Sequence, residues 1–335
     1  MGRFLLIPLL TQLVLAGPER IIIDSDPGYF NDDCQAAVML LRSPEKAAVA
    51  GITVVSGNTW APEGRKHMDQ ALKAIGRADV RMFVGAQMPL THTAGMAREE
   101  SRRWGPFAYM AAFEKPFPAG VEVGTRGGVD FLIETIDRLA GDITILAIGP
   151  MTNLAIAFRL RPDLETKIKQ IVFMGGNVRV PGNATKHAEV NFWFDPEAAQ
   201  VIMRSRVPRK IMFGLDICNR AVFTRKQFDE IVAAKTPATE LFKDALGNGY
   251  PGFLKDAKTT GYIWDPLAAG YLIDPKIVTS QESMYLDVDA RFGEYYGAVA
   301  PLDRKLAPKA TPVQVMLGLD YARFFAFFKS LLTQR

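Results

Sequence analysis

The sequence contains little cysteine and little histidine, with two and three residues of these types among 335. Two cysteines exclude a disulfide-rich scaffold, and Cys34 and Cys218 could form one bridge or none. The three histidines lack the His-x-x-x-His spacing of a zinc site, which argues against zinc binding by this protein. No block rich in lysine or arginine stands out, and the formal net charge is +4, so nucleic acid is not an expected partner.

Long apolar runs are also missing, because no stretch of about 20 uninterrupted apolar residues occurs, so we expect no stable membrane span. Residues 4–16 form a shorter apolar stretch that follows Arg3 and ends in small residues. This pattern is typical of an export signal with cleavage after Ala16. We predict a signal peptide over residues 1–16, a single domain over residues 17–335, and a periplasmic or secreted protein, with the cytoplasm as the alternative location.

Short apolar segments alternate with helix-like segments along the chain. We predict strands at 21–24, 48–55, 82–84, 143–148, 170–174 and 210–214, and helices at 34–41, 64–75, 129–139, 153–159 and 196–205. The alternation predicts an α/β domain with a mainly parallel, Rossmann-like open sheet flanked by helices. Residues 86–127 are weakly patterned and are interpreted as an insertion or flexible lid. Residues 276–335 contain no motif that we can place, although 322–332 have the pattern of an amphipathic helix.

Four aspartates lie within ten residues, at positions Asp24, Asp26, Asp32 and Asp33, directly after the apolar residues 21–23. Carboxylates at this density repel one another unless a cation neutralises them. An oxygen-binding cation such as Ca²⁺ or Mg²⁺ fits such a cluster. Helix capping would explain Asp32 and Asp33, but it does not explain the pair at the end of the strand.

Other predicted strands also end in residues suited to a ligand site. Gly57-Asn58, Gly149-Pro150 and Gly175-Gly176 each follow a predicted strand. In parallel sheets, ligands bind beyond the carboxyl ends of the strands. The sequence therefore predicts one site at a single edge of the sheet, shared by these segments and the aspartate cluster.

Four segments in order resemble the nucleoside hydrolase family, which includes inosine-uridine and purine-preferring nucleoside N-ribohydrolases. They are DSDPGYFNDD, AIGPMTNLAIA, VFMGGNVRVPGNATKHAEVNFWFDPEAA and TTGYIWDPLAAGYL. The resemblance covers about residues 20 to 275. It implies a catalytic domain that hydrolyses the N-glycosidic bond of a ribonucleoside to free base and ribose. It also implies one bound Ca²⁺ per subunit, a small-molecule nucleoside substrate and a homodimer or homotetramer.

The resemblance also implies roles for individual residues. Asp26, Asp33 and Asp265 would bind Ca²⁺ through carboxylates, and Ile148 would add its backbone carbonyl. Asp26 would be the general base that takes a proton from water, while Asp24 would support the loop. The implied ribose-binding residues are Asp32, Asn58, Asn183, Glu189 and Asn191. Departure of the base leaves positive charge on the ribose, which carboxylates and amide oxygens stabilise.

The residue before the last metal aspartate bears on the choice of base. Some family members have a histidine there as proton donor, whereas purine-preferring members have tryptophan, and this chain has Trp264. An indole stacks well on the larger purine face. Trp104 is the predicted second aromatic wall, so we expect purine nucleosides to be the preferred substrates.

Two other functions stay open, the first of them because of a departure from the family pattern. The loop before Asp32 is Tyr29-Phe30-Asn31, where the family usually has one residue. A changed loop geometry would favour a non-catalytic protein that binds nucleosides or ribose. A phosphatase of the haloacid dehalogenase type also has Asp-x-Asp after a strand, but its usual Thr after the second Asp is replaced here by Pro27.

Overall fold

The structure is a computed structural model that describes residues 17–335 apart from 108, 122, 123, 125, 250 and 257. The predicted signal peptide lies outside the described residues. Within them, the strands are β1 (Glu19–Ser25), β2 (Ala47–Val54), β3 (Met82–Val84), β4 (Thr144–Ala147), β5 (Gln170–Met174), β6 (Lys210–Phe213), β7 (Val222–Phe223), β8 (Gly261–Tyr262), β9 (Val278–Met284), β10 (Leu286–Val288), β11 (Val299–Pro301) and β12 (Val313–Leu319).

The helices lie between and after these strands. The α-helices of the described residues are α1 (Asp32–Leu41), α2 (Ala61–Ala74), α3 (Ala94–Trp104), α4 (Arg126–Arg138), α5 (Thr152–Leu160), α6 (Val190–Phe194), α7 (Pro196–Met203), α8 (Leu215–Cys218), α9 (Arg225–Val232), α10 (Pro237–Gly249), α11 (Pro251–Lys255), α12 (Asp265–Ile273) and α13 (Tyr321–Thr333). Short 3₁₀ helices are Ala111–Glu114, Pro162–Thr166 and Pro275–Ile277.

An eight-stranded sheet forms the centre of the described chain, in the order β3-β2-β1-β4-β5-β6-β12-β9. All neighbours are parallel except β9, which pairs antiparallel with β12. The strand order runs in one direction from β1 to β3 and in the other from β4 to β6. In open α/β sheets, a crevice opens beyond the carboxyl ends of the strands at such a reversal. The reversal between β1 and β4 therefore positions the candidate site.

Both faces of the sheet are covered, which explains the unbroken apolar run in β1. Ile21 and Ile23 pack in one core cluster with α1, α2, α12 and α13. Ile22 points to the opposite face and packs in a second cluster with α4, α5 and α7. The structure thus confirms the predicted α/β class with a mainly parallel sheet between helical layers.

The predicted strands correspond to β1–β6, with ends that differ by no more than two residues. The predicted helices correspond to α1, α2, α4, α5 and α7, but several begin earlier than the apolar pattern does. The first turn of α1, for example, contains Asp32 and Asp33, because carboxylates are favourable at a helix N-terminus. The predicted amphipathic helix near the end of the chain is α13, which buries Phe324, Phe328 and Leu332.

Two segments are more structured than the sequence indicated. Residues 86–127, expected to be an insertion or lid, contain α3, where Thr93 caps the first turn and Glu100 is buried. Residues 276–335 contribute β9 and β12 to the main sheet, and β12 aligns Val313 with Lys210 of β6. Their places depend on pairing between distant segments, which no local motif announces.

Two smaller predictions concern the cysteines and the membrane. Cys34 and Cys218 are both buried and free, so they form no bridge with each other. None of the helices in the described ranges combines the length and apolar character required for a membrane span, as expected from the sequence.

Candidate active site

Asp33 is held by four hydrogen bonds at the start of α1. Its Oδ1 accepts from the Ser25 hydroxyl at 2.7 Å and from the Asp26 backbone N–H at 3.0 Å. Its Oδ2 accepts from the side-chain amides of Asn31 at 2.8 Å and Asn58 at 3.2 Å. The end of β1, the loop and the segment after β2 therefore all fix the orientation of this buried carboxylate.

Asp26 follows β1 directly and is enclosed by backbone. Its Oδ2 accepts from the Asn58 backbone N–H at 2.6 Å. Its Oδ1 is buried and has no hydrogen-bond partner among the described residues. Gly57 and Gly149 lie so close that a Cβ at either position would collide with this carboxylate. An unsatisfied buried carboxylate oxygen is unfavourable, so the geometry calls for a cation or water beside Oδ1.

Asp32 and Asp265 complete the cluster. One side-chain oxygen each of Asp32, Asp33 and Asp265 lies within 4.8 Å of the other two. The backbone N–H groups of Asp265 and Trp264 donate to Asp32, which places this carboxylate at the N-terminus of α12. This group of three carboxylates includes Asp32, which was predicted as a ribose ligand. It omits Asp26, which was predicted as a metal ligand, because Asp26 turns its Oδ2 towards the backbone of Asn58.

Burial and mutual repulsion perturb these carboxylates strongly. Burial, followed by the charge of Asp33, raises the pKa of Asp32 to about 7 from its ordinary 3.8. The same two causes hold the pKa of Asp26 well above its usual range. Burial and the charges of Asp32 and Asp33 do the same to the pKa of Asp265. A bound divalent cation would relieve this repulsion, and an all-oxygen donor set of this kind suits Ca²⁺ or Mg²⁺.

The carbonyl of Ile148 lies at the end of β4, across the reversal from β1. The Ile148 N–H donates to the backbone carbonyl of Asp24 at 2.8 Å, which continues the pairing of the two strands. Its own carbonyl accepts from the Asn191 side-chain amide at 3.2 Å. The predicted metal-binding carbonyl and a predicted ribose ligand are therefore neighbours.

Asp24 lies below the cluster and ties three elements together. Its Oδ1 accepts from the Thr53 hydroxyl of β2 at 2.5 Å and from the Asn153 amide of α5 at 2.7 Å. Asn153 in turn accepts from the backbone N–H of Ala86 at 2.6 Å. Asp24 thus joins β1 to β2 and α5, whereas the sequence had indicated support of the loop after β1.

Three predicted ribose ligands gather at the N-terminus of α6. Glu189 caps this helix: Oε1 accepts from the Asn191 N–H at 2.9 Å, and Oε2 accepts from the Gly176 N–H at 2.8 Å. The Asn183 carbonyl oxygen accepts from the Val190 N–H at 2.9 Å. These bonds hold the side chains in place, and the amide N–H groups of Asn183 have no acceptor among the described residues.

Asn58, the remaining predicted ribose ligand, contacts both the metal cluster and an aromatic loop. Its side chain donates to Asp33, while the Tyr109 hydroxyl donates towards its backbone and side-chain oxygens at 3.2 and 3.3 Å. Tyr109 lies on the segment after α3. A single tyrosine in a weakly patterned segment gives no sequence signal of this contact.

Trp264 lies at the start of α12, immediately before Asp265. Its ring packs nearly parallel to Tyr262, with ring centroids 5.8 Å apart and an angle of 18°. Its indole N–H is buried without a hydrogen-bond partner among the described residues. This pair of stacked rings directly precedes Asp265 in the chain.

Trp104 lies at the end of α3 on the other side of the ribose segment. It is 39% exposed and packs edge-on against Phe292 at 5.9 Å. Trp104 and Asn183 line one cavity of about 290 Å³, together with Phe107 and Glu294. The structure thus brings Trp104 next to a predicted ribose ligand, whereas Trp264 is not among the residues that line this cavity.

Sequence reasoning missed the roles of two amides, Asn31 and Asn153. Asn31 precedes α1, where asparagine is a common N-cap residue, and this position was its available signal. In the structure the Asn31 side chain binds Asp33 rather than the helix backbone. Asn153 follows Gly149-Pro150 closely, but only the folded sheet reveals its contact with Asp24.

Comparisons with known proteins all point to one family. A family model described as inosine-uridine preferring nucleoside hydrolase matches residues 21–326. The pyrimidine-specific ribonucleoside hydrolase RihB of Escherichia coli K12 is 34% identical over 307 residues, covering 90% of this chain and 93% of that protein. The plant nucleoside hydrolase PpNRh1 superposes with a TM-score of 0.76 at 25% identity, covering 95% and 100% of the two chains. A purine-preferring ribonucleoside hydrolase from Gardnerella vaginalis gives 0.75 at 25% identity, covering 94% and 98%.

Proposed function

We propose that this chain, which belongs to the inosine-uridine preferring nucleoside hydrolase family, prefers purine ribonucleosides and uses Ca²⁺. Members of that family are metal-dependent hydrolases of N-glycosyl compounds. The observation that carries this proposal is the group of Asp32, Asp33 and Asp265 carboxylates within 4.8 Å of one another. Asp26 adjoins Asp33, and its buried Oδ1 has no hydrogen-bond partner among the described residues. The haloacid dehalogenase reading is wrong, because the family match covers nearly the whole chain.

The donor set fits a calcium ion. Asp33 and Asp265 would hold it through carboxylates, with Asp26 or Asp32 as a third and the Ile148 carbonyl as a neutral oxygen. When bound, the cation would lower the pKa of a water molecule and orient it. The repulsion among the carboxylates supports the need for positive charge here.

The protein's own residues supply the remaining chemistry. Asp26 Oδ1, which has no hydrogen-bond partner in the described part of the chain, would accept a proton from the attacking water. As the base departs, positive charge develops on the ribose, and carboxylates close to the sugar would stabilise it. Glu189 and Asp32 are suited to that task, and the side-chain amide of Asn183 would donate to a ribose hydroxyl.

The choice of purine rests on the aromatic residues and on where the histidines lie. His92 is buried 3.0 Å from Glu100, His67 packs against Tyr29, and His187 faces Tyr295. His92 and His67 are thus engaged elsewhere, and His187 lines the cavity that Trp104 and Asn183 share. The position before Asp265 is occupied by Trp264 rather than by a histidine. Stacking on a flat ring favours the larger purine base. The E. coli relatives named above are pyrimidine-specific, so this assignment depends on the local aromatic residues.

Release of ribose from inosine, adenosine, guanosine, uridine and cytidine tests the proposal, with Ca²⁺ present and after chelation. We expect release from the purine nucleosides that chelation abolishes. Asp26→Asn should lower kcat at least a hundredfold, as expected for loss of a general base. Asp142→Asn is the matched control, because this aspartate is exposed and pairs only with Arg20 in the described structure.

Three outcomes would contradict parts of the proposal. Uridine cleaved as fast as inosine would overturn the purine preference and leave the hydrolase. Activity that survives chelation would overturn the metal. Inosine binding without release from any nucleoside would favour the non-catalytic nucleoside-binding protein.

A further inference from the structure

The loop between β1 and α1 is longer than the family pattern, and it is tightly built. Phe30 has a φ of 43°, in the left-handed region that side chains rarely adopt. Its side chain is only 2% exposed and packs in the core cluster with α1. Its carbonyl accepts from the Gln35 side chain at 3.1 Å. Such a conformation persists where the surroundings impose it, so the two additional residues form a defined turn.

This turn places the Asn31 side chain between the loop and the acidic cluster. The Asn31 carbonyl oxygen accepts from the Gly28 N–H at 2.9 Å, which closes the turn. Its NH₂ group donates to Asp33 Oδ2 at 2.8 Å. The same Oδ2 has one other donor among the described residues, Asn58, at the longer distance of 3.2 Å. Asn31 is therefore the closer restraint on that oxygen.

We propose that Asn31 is a positioning residue that orients the Asp33 carboxylate for metal binding. In this proposal, the longer loop places the Asn31 side-chain amide against Asp33. The inference rests on the proposed function only in taking Asp33 as a calcium ligand. Without Asn31, Asp33 Oδ2 would keep only the longer bond from Asn58, so this oxygen would be held less firmly against repulsion from the neighbouring carboxylates. Residues that orient metal ligands in this way contribute about 10- to 100-fold to metal affinity.

The test is calorimetric titration of CaCl₂ into the full-length protein after chelation and buffer exchange. We expect Asn31→Ala to raise the Kd for Ca²⁺ about 10- to 100-fold. Tyr29→Ala is the control in the same loop, because Tyr29 packs against His67 and has no hydrogen bond to the cluster among the described contacts. Its Kd should stay within about twofold of the unmodified protein.

The outcomes separate this inference from the proposed function. Unchanged Ca²⁺ affinity in Asn31→Ala, with the unmodified protein binding Ca²⁺, overturns the inference alone. Equal weakening by Tyr29→Ala also overturns it, because the loop as a whole would then be responsible. Absence of Ca²⁺ binding by the unmodified protein overturns both. If Asn31→Ala does not fold, Asn31→Ser is used, since its hydroxyl can still accept from Gly28, and weaker Ca²⁺ binding is again expected.

Discussion

After chelation, the protein's free energy of unfolding should fall as the pH rises from about 4 to 7. Added Ca²⁺ should offset that loss of stability. Burial raises the pKa of Asp24 to about 6 from its ordinary 3.8. Between these values the folded protein keeps a proton that the unfolded chain has released. Stability falls with pH wherever the folded state binds more protons than the unfolded state. The loss of stability is therefore absent below the pKa that Asp24 has in the unfolded chain, and it is complete above the pKa that Asp24 has in the folded protein.

The magnitude follows from the size of the shift. Asp24 is fully buried, and a shift of about two pKa units corresponds to about 3 kcal/mol at pH 7. The pKa of Asp32 rises further, to about 7, but this side chain is partly exposed, so we assign it a smaller contribution. Calcium at about a thousand times its Kd would contribute about 4 kcal/mol, which is comparable to the loss. Protons compete with the metal at low pH, so its contribution shrinks there.

Urea unfolding followed by tryptophan fluorescence measures the effect, in EDTA and in Ca²⁺, at intervals from pH 4.5 to 8. We expect the difference between the two free energies of unfolding to widen with pH. Asp265→Asn should make this difference between the free energies in Ca²⁺ and in EDTA smaller, because the variant has one charged carboxylate fewer in the cluster. A free energy in EDTA that stays level or rises over this range would refute the reasoning, as would a calcium increment that is the same at pH 5 and pH 8.

Three further predictions concern single residues. Trp264→His should lower the ratio of inosine to uridine kcat/KM roughly tenfold, because aromatic stacking on a base contributes about 1–3 kcal/mol; an unchanged ratio would contradict the stacking role. Phe30→Ala should destabilise the fold by about 3–5 kcal/mol, and Phe30→Gly by about 1 kcal/mol less, because glycine tolerates the left-handed backbone; equal urea midpoints would argue against that strain. Asp195→Ala should reduce stability by about 3 kcal/mol, since its buried carboxylate accepts from Leu90, Thr152 and Ala198; a loss under 1 kcal/mol in urea unfolding would count against it.

The first six strands were predictable because each is a short apolar run between helical segments. Residues 21–23 illustrate this, since burial on both faces of a parallel sheet requires an apolar residue at every position. β9 was not predictable, because its sequence, VTSQESM, is mostly polar and its side chains are largely exposed at the sheet edge. Its place comes from pairing with β12, which is a tertiary contact.

The candidate site shows the same division. The four motifs in order were enough to predict that Asp33 and Asp265 would meet, although they are far apart in sequence, and the structure places them together. The bond from Asn31 to Asp33 could not be predicted, because it depends on the left-handed turn at Phe30. The contact from Tyr109 to Asn58 joins two loops whose approach is set by packing below them.

The packing of α1 orders events during synthesis of the chain. This helix begins with Asp32 and Asp33 and packs against α12 and α13. At its far end the Arg42 guanidinium donates to the carbonyls of Leu331 at 2.6 Å and Leu332 at 3.1 Å. Translation supplies the aspartates first and these partners last. The helix that carries Asp32 and Asp33 therefore completes its packing only after residues 321–333 have been synthesised.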